Sequence, residues 1–532
     1  MPDARTELSW SGWGDPAQAT TLPEAVRALL RDGLGVSREN RPPTSIDQLA
    51  LEPVRLDGQL AAQLTDLVGA AHSHADHESR VRHALGKSIF DLLALRAGRP
   101  LPAPDLVLDP GSHDEVLDIL SVCARARVAV VPFGGGTSVV GGLTPNAEGF
   151  AGVVALDLKR LNQLRELDEE SRLARLEPGL RGPEAEALLG AHGYTIGHFP
   201  QSFEYATLGG FAAARSSGQA SAEYGRFDEL VVALRVATPA GMLELGRAPK
   251  SAAGPDLRQI ILGSEGALGV ITELTVQVRP APAIRRYEGW RFASFAEGTT
   301  TLRRLAQDGP RASVLRLSDE AETALGLARP DQLGDGGDGG SLAIVGFEGD
   351  PDDVARRAQE TSIVLSEAGA IPVPDAGEDW VRGRFHGPYL RDALLDAGAL
   401  VETLETATFW SKLPNLYKAV HSTLQNSLIN QGTAPVILCH VSHVYASGAS
   451  LYFTVACAQS PDPAAQWRKA KSAAMEAVLA AGGSISHHHG VGRDHQPWLA
   501  EEVGELGVTV LSAIKRELDP TGILNPGILV VS

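Results

Sequence analysis

VAVVPFGGGTSVVGG, residues 128–142, is the stretch on which the fold turns. Its first part, Val128–Phe133, is an unbroken apolar run rich in β-branched residues, the pattern of a buried strand. Three glycines follow, Gly134, Gly135 and Gly136, and then Thr137 and Ser138. Glycines directly after a strand let the chain turn sharply and bring bare amides against a ligand, and the two hydroxyls add donors. Such a nest of N–H groups suits a pyrophosphate; the plain alternative is a glycine-rich turn. Two other phosphate loops fail here. A Walker A loop needs Lys and then Ser or Thr after its last glycine, and none follows. A Rossmann fingerprint needs a third glycine where Val139 stands, with a helix directly behind it. Val139-Val140-Gly141-Gly142 is a poor helix start.

Outward from the loop, strands and helices alternate. Leu106–Leu108 reads as a strand and His113–Ala126 as a helix with Ser112 at its N-cap. Val153–Leu158 is another strand, and a helix starts near Pro183. A second glycine-rich stretch, GSEGALGVITELTVQV (Gly263–Val278), ends in a strand. Beyond Pro280 the pattern changes: Ala343–Gly349 is strand-like, a helix runs from Pro351 to about Ala368, and DGGDGG (Asp335–Gly340) is a loop. A helix from about Ala464 to Ala481 stops at Gly482-Gly483, and the last helix, near Val503–Leu518, ends at Asp519-Pro520. Residues 1–100 read as mainly helical, from the apolar spacing in Leu22–Leu30 and Ile89–Arg96. The expected fold class is α+β.

The 532 residues call for two or three subdomains, and 47 basic against 65 acidic residues leave a net charge of −18. That balance argues against a nucleic-acid partner, which needs a basic face, but leaves an anionic small molecule open. Cys123, Cys439 and Cys457 form no CxxC pair, so a zinc ribbon or disulfide scaffold is not expected and a reducing cytosol fits. The N-terminus lacks a secretion-signal pattern, ILVVS is not a peroxisomal address, and no apolar run reaches the roughly 18–20 residues of a membrane span. Heavy use of Ala, Gly, Leu and Arg suits a GC-rich bacterium, so a bacterial cytoplasm is the expected location.

Further segments carry a resemblance: QSFEYATLGGFAAARSSG (Gln201–Gly218), GPDLRQIILGSEGALGVITE (Gly254–Glu273), PYLRD (Pro388–Asp392), ASLYF (Ala449–Phe453) and SHHHGVGR (Ser486–Arg493). With the glycine loop they resemble the vanillyl-alcohol oxidase / p-cresol methylhydroxylase class of FAD enzymes from about residue 100 onward. SHHHGVG points to its alkylglycerone-phosphate synthase (alkyldihydroxyacetonephosphate synthase) branch. The resemblance implies a two-subdomain FAD-binding fold with a cap domain: behind the helical segment read at 1–100, the FAD-binding domain at 101–280, the cap at 281–480 and a segment at 481–532 that completes the active site. FAD would lie along Pro132, Phe133, Gly134, Gly135, Gly136, Thr137 and Ser138; along Gln201, Ser202, Thr207, Gly210, Arg215, Ser216 and Ser217; and along Glu265, Gly266, Gly269, Val270 and Ile271. Covalent members of the class often carry His in the glycine loop; Thr137 stands there, so a non-covalent flavin is expected.

The same resemblance makes Arg391 the substrate-binding arginine and Tyr452 the catalytic tyrosine, with Tyr445, seven residues earlier, as the alternative. A guanidinium grips phosphate or carboxylate with paired hydrogen bonds; the plain reading of Arg391 is an ion pair with Asp392. His487, His488 and His489 form a catalytic wall that supplies a base near neutral pH. On an extended segment His487 and His489 would share one face and His488 would point away. A zinc site using His487 and His489 with His495 or Asp494 is the lesser reading, and no metal is expected. The implied reaction exchanges the acyl group of an acyl-dihydroxyacetone phosphate for a fatty alcohol, with flavin N5 as the nucleophile and no net electron flow. Two alternatives stand beside it: an FAD-linked D-2-hydroxyacid dehydrogenase or oxidase on the same fold, and a flavoprotein that only carries electrons. The substrate is then a small anion, in the synthase reading a lipid phosphate; a membrane surface and a second copy in a homodimer are further expected partners.

Overall fold

The computed structural model describes residues 5–326 and 339–530. Within it the apolar run before the glycines is a strand, Ala129–Phe133, with Val130 and Val131 buried. It closes a four-stranded sheet in the order β1 (Ser73–His74), β2 (Leu106–Leu108), β4 (Val153–Asp157), β3 (Ala129–Phe133). The last three strands run parallel, as expected of strands separated by a helix. That helix, His113–Ala126, is capped by Ser112, which accepts from the Glu115 amide, and it buries Val116, Ile119, Leu120 and Cys123 against the sheet. The free edge of β3 is covered by residues far along the chain. The Val130 amide donates to the Ile523 carbonyl at 2.8 Å, and the Asn525 amide donates to the Val130 carbonyl at 2.8 Å.

A second sheet is antiparallel throughout, in the order β5 (Leu164–Asp168), β6 (Leu173–Leu176), β10 (Val270–Gln277), β8 (Val231–Thr238), β9 (Gly241–Leu245). A two-stranded ribbon pairs β7 (Tyr194–Thr195) with β11 (Arg279–Pro280). The remaining strands make one seven-stranded antiparallel sheet: β15 (Ile371–Val373), β12 (Ile284–Phe292), β14 (Ser341–Gly349), β13 (Val314–Ser318), β17 (Val436–Val444), β18 (Gly448–Ala458), β16 (Ala399–Phe409).

Alternation along these strands sorts their side chains to two destinations. Leu315, Leu317, Leu400, Leu404, Ile437, Cys439, Leu451, Phe453 and Val455 enter a core shared with the helices Phe295–Asp308, Pro351–Glu367, Leu413–Ile429 and Pro463–Ala480. Their neighbours Val314, Arg316, Val401, Thr403, Leu438, His440, Tyr452 and Thr454 line a cavity on the opposite face. Truncating a fully buried ring such as Phe453 to Ala would cost about 3–5 kcal/mol, so the cavity wall is held rigidly from behind.

One expectation fails, that residues 1–100 are mainly helical. Residues 5–57 contain only short helical pieces, of which Glu24–Ala28 with the following turn Leu29–Gly33 are the largest. Pieces this short cannot sustain themselves, and Pro16, Pro23, Pro42 and Pro43 interrupt them, so the segment lies as a strap fixed by tertiary contacts. The last helix is found as expected, at Glu505–Leu518, with the short helix Leu499–Val503 set off before it at Gly504. Residues 335–338 of the expected DGGDGG loop lie outside the described residues. No helix among the described residues is long and apolar enough to cross a membrane.

Candidate active site

A cavity of about 860 Å³ lies between the glycine loop and the polar face of the seven-stranded sheet. The loop is pressed against the segment that follows Gln201: a Cβ on Gly135 would stand 2.1 Å from the Tyr205 carbonyl oxygen. Among the described residues no protein acceptor takes the amides of Gly135, Gly136, Thr137 and Ser138, so they stand as a set of unmet donors at the cavity wall. Every residue of Pro132–Ser138 lines the cavity, as do Gln201, Ser202, Thr207, Gly210, Ser216 and Ser217, and Glu265, Gly266, Gly269, Val270 and Ile271.

Arg215 is the exception. It caps the helix Leu208–Ala214 with φ of 52° and turns its guanidinium to Asp228, at 3.4 Å, and to Gln259. Those partners take the side chain that was expected at the cofactor. Glu265 lines the cavity and also fixes the histidine segment, because its carboxylate accepts the amides of Val491 and Gly492, both at 2.9 Å. Asn525 ties the two glycine-rich stretches together, donating to the Gly142 carbonyl at 3.0 Å and the Glu265 carbonyl at 2.8 Å.

The three histidines do not alternate. The segment bends, and all three rings converge on Glu405 of β16, a residue that its local sequence does not single out. His488 Nδ1 stands 2.8 Å from a Glu405 oxygen, His487 Nδ1 3.5 Å and His489 Nε2 3.6 Å. His488 and His489 line the cavity, whereas His487 is buried behind them against Tyr445, Nε2 to hydroxyl 2.7 Å. Tyr452 therefore faces the cavity and Tyr445 supports the wall. Tyr452 stacks on His440 at 4.8 Å and meets the edge of His489 at 5.9 Å. His443 stacks on His487 at 5.1 Å, with Ser217 3.3 Å from its Nδ1. The pair His440 and His443, three apart in CHVSHV, is a local signal by which sequence reasoning could have found this second rank but did not.

Burial shapes the titration of the wall. It pushes His487 and His443 below the ordinary imidazole range and His489 to about 3, with the neighbouring histidines adding to the effect. Burial alone would raise Glu405, but the charge and hydrogen bonds of His488 and His487 hold it well below the usual carboxylate range. Burial raises the Tyr452 phenol to about 12, so it acts as a hydrogen-bond donor at neutral pH.

Arg391, on the helix Gly387–Asp396, reaches the cavity and also makes the ion pair of its plain reading. Its Nε and Nη2 donate to one Asp392 oxygen at 3.1 and 2.9 Å, and Nη1 donates to the Lys87 carbonyl at 3.0 Å. The other Asp392 oxygen accepts the Trp13 amide of the strap, whose Asp15 amide donates to Tyr389 at 3.0 Å. A second cation that sequence reasoning missed, Arg316, lines the far wall beside His440 and is paired with Glu322 at 2.6 Å. The lining also includes an apolar set, Val26, Leu29, Leu30 and Leu34 of the strap with Leu390, Leu394 and Val401, all but Leu29 packed in one cluster.

Comparison with known proteins places this architecture. Residues 104–246 match the family model described as FAD binding domain, and residues 281–529 match FAD linked oxidases, C-terminal domain. An alkyldihydroxyacetonephosphate synthase of Dictyostelium discoideum is 32% identical over 99% of this chain and 94% of its own length. A solved alkyldihydroxyacetonephosphate synthase superimposes with a TM-score of 0.83 at 30% identity, covering 99% of this chain and 100% of that one. Substrate-bound p-cresol methylhydroxylase shares the fold alone, with a TM-score of 0.69 at 15% identity over 90% of this chain and 99% of that one.

Proposed function

Because the chain belongs to the alkyldihydroxyacetonephosphate synthase family of FAD-dependent enzymes, we propose that it replaces the acyl group of an acyl-dihydroxyacetone phosphate with a fatty alcohol. FAD is its cofactor. The unmet amides of Gly135–Ser138 are donors that a diphosphate satisfies, and the close approach at Gly135 leaves the loop its bare backbone. Thr137 offers no nucleophilic ring, which supports a dissociable flavin. When bound, the flavin supplies a nucleophilic N5 and the exchange needs no net electrons.

The chain's own groups supply orientation, charge and proton handling. In this reading Arg391 grips the substrate phosphate, held in direction by Asp392. Tyr452 donates to the carbonyl oxygen of the dihydroxyacetone unit, and the histidine wall takes and returns the proton next to that carbonyl. The observation that carries the proposal is the apolar cluster in the lining of the same cavity as Arg391, where Val26, Leu30, Leu394 and Val401 offer an alkyl chain an apolar wall. A small hydroxyacid would leave that apolar wall unused. The cytoplasm, a homodimer and contact with a membrane surface complete the proposal; light scattering of the purified protein and vesicle co-sedimentation test the last two.

The deciding experiment incubates the purified protein with an acyl-dihydroxyacetone phosphate and a labelled long-chain alcohol. Labelled ether lipid and free fatty acid are expected in equal amounts. Anaerobic bleaching of the flavin by D-lactate or D-2-hydroxyglutarate, with no ether product, would instead establish the hydroxyacid reading.

A further inference from the structure

We propose that Glu405, His443, His487 and His488 hold a divalent transition metal of the zinc class in a closed site at the back of the cavity wall. The set differs from the one that spacing along the sequence offered, and it does not depend on which reaction the cavity performs.

The donors arrive from three elements, β16, β17 and the bent histidine segment, and one ligand atom from each of the four residues lies within 4.8 Å of all the others. Three of them are closer still. His488 Nδ1 is 2.8 Å from one Glu405 oxygen, His487 Nδ1 is 3.0 Å from His488 Nδ1, and His487 Nδ1 is 3.5 Å from the other Glu405 oxygen. A tetrahedral zinc with bonds of about 2.0–2.1 Å separates its ligands by about 3.3 Å, so this triangle is close to one face of such a site. The rings are evenly set, with centroids 5.1 Å apart for His443 and His487, 5.2 Å for His487 and His488, and 5.3 Å for His443 and His488.

Hydrogen bonding alone does not satisfy the cluster. The Glu405 oxygen nearest His488 is buried and accepts no hydrogen bond among the described residues. The hydrogen shared between the two Nδ1 atoms serves neither that oxygen nor His443. A buried carboxylate oxygen without a partner is costly, and a cation among the four donors removes the cost by taking a lone pair from each. The outer atoms of the ligands are already held by hydroxyls, as ligands to a metal require: His487 Nε2 by Tyr445 at 2.7 Å, His443 Nδ1 by Ser217 at 3.3 Å, and the second Glu405 oxygen by Ser442 at 2.5 Å. Imidazoles with one carboxylate suit zinc; magnesium and calcium take oxygen ligands. His488 opens onto the cavity and gives the ion a way in. The partners that sequence spacing offered are engaged elsewhere, His495 Nδ1 with the Gly490 carbonyl at 3.0 Å and Asp494 with Lys471 at 3.7 Å. His489 lines the cavity outside the set and keeps the proton step of the exchange reading.

The test uses the full-length, flavin-loaded protein without a histidine tag, incubated with an equimolar amount of zinc and then desalted. Elemental analysis is expected to give about one zinc per chain, and X-ray absorption to show nitrogen and oxygen ligands at about 2.0–2.1 Å with no sulfur. Glu405→Gln and His443→Ala each remove a ligand and should lower zinc affinity by about 100-fold or more, beyond the effect of losing an outer partner. His495→Gln should keep the affinity of the wild type. A wild type that stays zinc-free after loading overturns the proposal. So does equal binding in Glu405→Gln, which marks an adventitious ion only. Where a variant does not fold, the wild-type absorption spectrum decides, and an oxygen-only shell or a sulfur ligand overturns the site. Stoichiometric zinc in a protein that forms no ether lipid upholds the site and sinks the exchange reading; ether formation by a protein that binds no zinc does the reverse.

Discussion

Arg391 is held by two partners on different elements, and its substitution separates binding from folding. Arg391→Ala should retain flavin and abolish turnover, because the residues proposed to hold the cofactor lie on other elements. Arg391→Lys keeps the charge but loses the fork, and kcat/KM should fall roughly 10- to 100-fold, mostly through KM. Glu265 offers a stability test with a definite sign. Burial, with Asp494 adding, lifts its carboxyl from 4.5 to about 7 against the pull of the Gly492 and Val491 amides. The folded chain then holds a proton that the unfolded chain has released, so this contribution is full below 4.5 and is lost as pH rises through about 7. Glu265→Gln should flatten the fall in Tm between those values relative to wild type. At this scale the glycine loop and the histidines were legible because their chemistry is local: bare amides and adjacent imidazoles announce themselves within a few residues. Glu405 was not. Nothing in VETLET (Val401–Thr406) distinguishes it until β16 is placed beside β18, which brings Glu405 opposite Tyr452 and under the histidines.

Regular elements in the flavin and cap regions were readable from periodicity and caps, as His113–Ala126 and β10 illustrate. Where the pattern misled, tertiary contacts had replaced local preference. The histidine segment bends because Glu265 holds its amides, and the strap runs irregularly because its groups bond to distant elements. Gly14 fixes the strap's course. Its φ is +64°, and a Cβ there would lie 1.9 Å from the Tyr389 hydroxyl. Gly14→Ala should cost about 1–3 kcal/mol and raise KM, because the displaced Trp13 amide releases Asp392 and with it the direction of Arg391. Thermal melting and steady-state kinetics check both effects; an unchanged KM would separate the strap from the anion grip.

The cavity is walled by both halves of the molecule, and a flavin held there as proposed would touch both. Binding should therefore stabilise the whole, by about 2.7 kcal/mol at a hundredfold excess over Kd. Acid denaturation should release all of the flavin into the supernatant, and retention of yellow colour on the precipitate would contradict a dissociable cofactor. The edge of β3 carries one more consequence. Ile523 and Asn525 complete the hydrogen bonding of the strand that leads into the glycine loop, almost four hundred residues after that strand is made, and Asn525 also ties Gly142 to Glu265. A nascent polypeptide on the ribosome thus carries its glycine loop unfinished through most of translation, and if that loop holds the flavin as proposed, cofactor capture is expected only after residue 525 has cleared the exit tunnel. Stalled chains ending before Ile523 should emerge colourless even in excess FAD.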